Sequence, residues 1–139
     1  MIEIKVYKEL ADDAMLVRKK VFVQEQGFVD EFDDTDGVAT HLVAYDGDDP
    51  VGTCRIFIGD EPGVYILGRL AVTKEYRRHH LGARLVAAAE ELARQDSGKY
   101  VMLHSQEQAV PFYEKQGYAV CSKMEYEEFC PHYWMKKQL

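Results

Sequence analysis

The 139-residue sequence predicts a single α/β (α+β) domain, a central mixed but mostly antiparallel sheet with one β-α-β crossover and flanking helices. Three observations carry that reading. Ile2, Ile4 and Val6 alternate with Glu3, Lys5 and Tyr7, the period of a half-buried strand. Three β-like runs at 40–45, 51–58 and 64–72 are joined by short turn signals and read as an antiparallel meander. An amphipathic helix then precedes another apolar run at 100–104, which makes 64–104 a crossover between parallel strands.

The elements follow in order. Strand one is 2–7. Asp12 or Asp13 can cap a helix that sets Leu10, Ala14, Val17 and Val21 on one face and Arg18, Lys19 and Lys20 on the other, running to about Gln24 and breaking near Gly27. The meander turns at Asp46-Gly47, closed by Pro50, and again at Gly59, Pro62 and Gly63. The crossover helix starts at about Leu81, presents Leu81, Leu85, Ala88, Ala89 and Leu92, and ends before Ser97-Gly98. Ser105-x-x-Gln108 has a capping-box pattern, but Pro111 would remove a helical hydrogen bond, so the next helix is expected from about Ala109 to Gly117. Closing strands are expected at 118–121 and 132–137.

Composition narrows the function. Hydrophobic residues at 47% against 29% charged describe an ordinary globular protein, and no run approaches the roughly 20 apolar residues of a bilayer span. With no apolar leader at the N-terminus, a cytoplasmic location is expected and no membrane partner. Cys54, Cys121 and Cys130 are odd in number and lack C-x-x-C spacing, so they read as reduced structural thiols, without a disulfide framework or a metal site. The net charge of −7 argues against a nucleic-acid partner.

Charge is unevenly placed. Residues 69–84 carry +4 through Arg69, Lys74, Arg77, Arg78 and Arg84 against Glu75, which leaves −11 for the remainder. Cations in the first turn of a helix oppose its dipole at a cost of a few tenths of a kcal/mol each. A phosphate-bearing ligand on the free N–H groups of that turn would offset the cost. The opposite sign fills residues 25–36, with Glu25, Asp30, Glu31, Asp33, Asp34 and Asp36 and no basic residue among them. An EF-hand is excluded, because Phe32 holds the first ligand position and Val43 the last. Two readings stand: a solvated acidic loop, or a cluster that draws in a cationic substrate and disfavours an anionic one.

The element order, with RLAVTKEYRRHHLGARL and QAVPFYEKQGY, resembles the GNAT superfamily of N-acetyltransferases over nearly the whole chain. RKKVFVQEQG, DDTD, ATHLVAY and PHYWMKK resemble a small single-domain bacterial subgroup of mostly unassigned substrate. The resemblance implies acetyl-CoA as cosubstrate in a V between the strand ending at Val72 and that ending near His104. Backbone at Leu70, Ala71 and Val72 would bind the pantetheine arm. N–H groups across Arg77, Arg78, His79, His80, Leu81, Gly82 and Ala83 would hold the pyrophosphate, and Gln106 would also contact the cofactor. His80 departs from the motif's first glycine, while Gly82 keeps the second. Tyr113 corresponds to the acid that protonates the departing thiolate. Glu25 is the candidate base, with His104, His132 and His41 as further ligands or bases that could equally be packed histidines. The acceptor would be a small-molecule or peptide amine, and a homodimer is left open. A non-catalytic acyl-CoA sensor and an acyl-homoserine lactone synthase-like enzyme are the alternatives.

Overall fold

The structure is a computed structural model that describes residues 1–29 and 31–139; Asp30 of the acidic run lies outside the described residues. The strands are β1 (Ile2–Tyr7), β2 (Thr40–Asp46), β3 (Asp49–Ile58), β4 (Val64–Val72), β5 (Tyr100–Gln106), β6 (Ala119–Val120), β7 (Glu125–Glu127) and β8 (Cys130–Gln138), and the helices are α1 (Asp12–Arg18), α2 (Leu81–Gln95) and α3 (Val110–Lys115). They form one eight-stranded sheet ordered β1-β2-β3-β4-β5-β8-β6, with β7 on β8. All pairings are antiparallel except β4 with β5, which run parallel through the predicted crossover. The strand β7 was not foreseen, because Glu125, Tyr126 and Glu127 are exposed on both faces and show no apolar alternation.

Strand alternation splits the core into two faces. Leu42, Cys54, Ile56, Leu67, Leu103 and Met135 face α2, whose Leu81, Leu85, Val86, Ala89 and Ala93 are all buried. Each Leu or Val so removed from water contributes about 1.5–3 kcal/mol. Ala14, Val17 and Val21 of the first helical segment cover the other face, over Val43, Tyr45 and Ala71. Past Arg18 that segment continues as a π-helix from Lys19 to Glu25, and this wider coil buries Phe22 beside Val21. Neither Asp12 nor Asp13 caps α1; the N-cap is Ala11, and Asp13 instead accepts a 2.7 Å hydrogen bond from the Tyr45 hydroxyl. α2 ends as expected, although the left-handed residue is Ser97 (φ 64°) and not the glycine after it. Gly98 is required for space, since a Cβ there would lie 2.7 Å from the Ala93 carbonyl.

Two expectations from sequence are overturned together. Arg18 does not share the outer face with Lys19 and Lys20 but is 1% exposed, and the acidic run is not a solvated loop without cationic partners. Arg18 pairs with Glu31 at 2.8 Å and Asp36 at 2.7 Å; Arg55 pairs with Asp33 at 2.7 Å and Asp36 at 2.9 Å; Arg69 pairs with Glu31 at 3.0 Å. Three cations and three carboxylates thus neutralise one another beneath the loop, and steering of a cationic substrate by these acids loses its basis. The partners come from α1, β3 and β4, which no local reading of 25–36 could supply. Burial alone pushes the Asp36 carboxyl up, but hydrogen bonds from Arg18 and Arg55 outweigh it and bring the pKa down to about 2.

Removing Arg18 would leave Glu31 and Asp36 buried without their main counter-charge, so Arg18→Ala is expected to cost about 3–5 kcal/mol in urea unfolding. A change of only a few tenths would show that the cluster does not hold the fold. Because the folded pKa of Asp36 lies below its ordinary 3.8, its contribution is complete above that value and is lost as the pH falls toward about 2. Unfolding midpoints should therefore drop on acidification through that window.

Candidate functional site

The site begins where β4 and β5 stop pairing. Their register runs from Val64↔Tyr100 to Leu67↔Leu103 and ends there. Between Thr53↔Ala71 and Arg55↔Gly68 the strand β4 spends three steps against two on β3, a bulge at Arg69 and Leu70. Arg69 takes the left-handed conformation (φ 52°), and its Nε donates to the Glu31 carbonyl at 3.0 Å, so the ionic cluster holds the strained residue. The bulged strand bends away from β5. A cleft of about 710 Å³ opens between Gly68–Leu70 and His104–Gln106 and reaches both faces of the sheet.

One side of the cleft leads to the basic turn. A 3-10 turn, Lys74–Tyr76, carries the chain from β4 to His80, whose φ of 54° and ψ of 22° are those a glycine would adopt. Histidine is among the residues that enter this region more readily than most, so the departure from glycine keeps the backbone path. The helix α2 then starts at Leu81, and the N–H groups of its first residues lack intrahelical partners. A Cβ on Gly82 would lie 3.2 Å from the Phe112 ring, so small size is needed where α2 and α3 meet. These features fit an anionic group on the turn, though not all five cations are free for one. Arg77 holds Glu25 through two bonds of 2.7 and 2.6 Å and also donates to the Val72 carbonyl at 3.0 Å. Arg69 belongs to the buried cluster, whereas Arg78, His79 and His80 are exposed.

Of the candidate site residues singled out from sequence, Leu70, Arg77, His104, Gln106, Tyr113 and His132 line the cleft together. Ala71 is buried under α1 and Val72 pairs with β3 through Gly52. Gln106 donates to the Gln26 side chain at 2.8 Å, tying the end of the first helical segment to β5. Glu25 is absent from the cleft wall, and hydrogen bonds from Arg77 hold its carboxyl below the usual 4.5. Tyr113 is buried on the α2 face against Phe112 and Tyr118. Burial, with a smaller electrostatic effect of Cys54, pushes its phenol well above the ordinary value of 10, so the hydroxyl keeps its proton. His41 is a packed histidine, with Nε2 3.0 Å from the Asp36 carbonyl.

The opposite face of the cleft joins two histidines named from sequence to partners that the sequence reading missed. His104 stacks at 4.8 Å on both His132 and Trp134, and its Nδ1 lies 2.9 Å from Glu127. The second Glu127 oxygen is 3.3 Å from His132 Nε2. The two histidines were legible as candidates, but the carboxylate that joins them sits on the unforeseen β7. Phe28, on the cleft wall, stacks on Phe129 at 5.1 Å. The buried network of Glu90, which takes the Tyr118 hydroxyl at 2.8 Å and Lys137 at 2.9 Å, also escaped notice, because a glutamate amid an alanine-rich helix carries no local signal of burial.

With this geometry in hand, comparison with known proteins is informative. The pattern that defines the acetyltransferase (GNAT) domain matches residues 8–139. The uncharacterised N-acetyltransferase YjcF of Bacillus subtilis is 38% identical over 133 residues, covering 94% of each chain. A crystal structure of a provisionally described N-acetyltransferase from Lactobacillus plantarum superposes with a TM-score of 0.89 at 32% identity, covering 99% of this chain and 98% of that one. Escherichia coli ElaA superposes with a TM-score of 0.87 at 26% identity, covering 99% of both chains.

The left-handed backbone at position 80 costs a side chain energy that glycine escapes, in part offset by the greater freedom of glycine in the unfolded chain. His80→Gly is therefore expected to raise stability by about 0.5–1 kcal/mol, while the β-branched His80→Val lowers it. Thermal unfolding of the two variants checks the sign at once.

Proposed function

The chain belongs to the GNAT acetyltransferase family and is an acyl-CoA-dependent acyltransferase, and from that premise we propose that it moves the acetyl group of acetyl-CoA to a primary amine of a small molecule or peptide. The observation that carries this reading is the parting of β4 and β5 beyond Leu67↔Leu103, which leaves backbone groups of β4 without a strand partner on the cleft side. Such groups can bind an extended arm and polarise a carbonyl, the two tasks a thioester substrate sets. The turn at Arg77–Ala83 lies beyond the end of β4 and would take the diphosphate, with the exposed Arg78 as its counter-charge. Glu25 serves the turn by holding Arg77 in place and does not act on the amine.

Acyl transfer also needs a proton for the departing thiolate. Tyr113 lines the cleft from the α2 face, and burial keeps its phenol neutral and so able to donate. The departing thiolate, with an ordinary pKa of about 8.5 using the cysteine thiol as a guide, is a weaker base than the phenolate, so the neutral hydroxyl acts first by hydrogen-bonding the charge that develops on sulfur, and the proton passes to sulfur as the phenol recovers one from solvent. A sensor that binds acyl-CoA without turnover drew its support from His80, and that support weakens now that His80 holds the conformation of the glycine it replaces.

Release of free thiol from acetyl-CoA, with and without a panel of primary amines, tests the reading; binding without thiol release from any of them would favour the sensor. Tyr113→Phe removes the hydroxyl and leaves the ring to pack. It should keep acetyl-CoA affinity within a few-fold and lower kcat by roughly 10- to 1000-fold. Arg78→Glu should weaken acetyl-CoA binding about ten-fold in calorimetry without moving the urea midpoint, since its exposed side chain forms no ion pair among the described residues. Equal affinity would remove Arg78 from the diphosphate site.

A further inference from the structure

Among the described residues three buried side-chain atoms lack a hydrogen-bond partner: Glu31 Oε2, Arg55 Nε and His104 Nε2. All three belong to residues that line the cleft. Unpaired buried polar atoms are rare and costly, so finding all three in residues of one cavity wall points to a function. Two of them are acceptors in the geometry of the site. Glu31 is bound by Arg18 and Arg69, and taking up a proton there would dismantle the cluster that pins the loop. His104 stands outside that cluster.

The hydrogen bonds of His104 fix its tautomer. Its Nδ1 faces the Glu127 carboxylate at 2.9 Å and must carry the proton, because a carboxylate only accepts. In the neutral ring the lone pair is then on Nε2, the atom without a partner. His132 braces the arrangement from below: its Nδ1 donates to the Cys130 carbonyl at 3.0 Å and its Nε2 faces the other Glu127 oxygen at 3.3 Å. The nearest charge to His104 Nε2 is the carboxylate of Glu125, 3.7 Å away on a half-exposed side chain that an incoming amine can displace. Position completes the case. His104 is the first residue of β5 beyond its pairing with β4, and alternation sends its side chain to the face opposite Leu103 and Tyr113.

We propose that His104 is the general base for the acceptor amine, with Glu127 and His132 as positioning residues that hold it in the Nδ1–H tautomer. This rests on the acyl-transfer reading above. His104 Nε2 takes one proton from the bound ammonium, the freed amine nitrogen forms a bond to the thioester carbonyl carbon, and the adduct nitrogen releases its surplus proton to water. Collapse of the tetrahedral adduct breaks the carbon–sulfur bond, the thiolate takes a proton from the opposite face, and the imidazolium returns its own to solvent. The products are the amide and free CoA thiol. Base and acid thus act across the two faces of one sheet, and the amine enters from the side of Phe28 and Phe129.

Two measurements test the assignment on the full chain. Nitrogen-15 spectra of the imidazoles need no acceptor: His104 should show an unprotonated Nε2, and Glu127→Gln should disturb that signature. An Nε2–H tautomer in the wild type overturns the proposal. The second compares benzylamine, which is an ammonium at neutral pH, with O-benzylhydroxylamine, which is already neutral there. His104→Gln should lower kcat for benzylamine about 100-fold or more, leave O-benzylhydroxylamine within a few-fold, and leave acetyl-CoA affinity unchanged. Glu127→Gln should give the same pattern with a smaller loss. Equal losses with both amines, or none, would assign His104 a packing role and overturn the inference while wild-type turnover upholds acyl transfer. If the wild type releases no thiol with either amine, acyl transfer to amines falls and this inference with it.

Discussion

The ionic cluster of Arg18, Arg55 and Arg69 with Glu31, Asp33 and Asp36 is the constraint on which the rest of the molecule turns. Each charge removed from water carries a penalty of several kcal/mol, so the buried Arg18, Arg55, Glu31 and Asp36 would not be tolerated alone, and the more exposed Arg69 and Asp33 complete their pairing. Together they are neutral and satisfied at almost every atom. The arrangement ties the first helical segment, the loop after it, and the strands β3 and β4 into one unit. It also meets the bulge, because Arg69 is both a member of the cluster and the residue whose left-handed backbone bends β4. The cleft is therefore a consequence of charge pairing in its own wall, where Glu31, Arg55 and Arg69 lie.

That bend gives the sheet two chemically different faces at a single point. Along β5, Val101, Leu103 and Ser105 are buried toward α2 and α3, while Met102, His104 and Gln106 face the other way. A thiol ester set between the strands would thus meet a phenol on one side and an imidazole on the other. Separation by the sheet keeps the two groups from neutralising each other in a direct hydrogen bond. It also means that substrate and cosubstrate need not share an entrance.

Most of the architecture was legible because it is written in local periodicity. The alternation of 2–7, the meander with its turns at Gly47 and Gly63, the stripe of Leu81, Leu85 and Ala89, and the αβ boundary at Tyr100 all lie within a few residues of their structural positions. The site was legible in halves. Tyr113, Gln106 and the turn at Arg77–Ala83 could be named as candidates because they stand in contiguous motifs. What could not be found depends on partners distant in sequence: Arg18 facing Glu31 and Asp36, Arg77 facing Glu25, and His104 facing Glu127. A charge pattern read along the chain shows where charges are, but only the fold shows which of them have already been spent on one another. The strand β7 was hidden for a related reason, since pairing to β8 and not burial makes it a strand.

The bulge at Arg69 has a further effect, on solubility. Where β4 and β5 part, each is left with an unpaired inward edge, and such an edge on the outside of a protein invites strands of other molecules to add to it. Here the two edges face each other across a gap whose wall includes Gln26, which accepts a hydrogen bond from Gln106, and Phe28, which stacks on Phe129. The protein can thus keep sticky backbone available to a ligand while denying it to another chain.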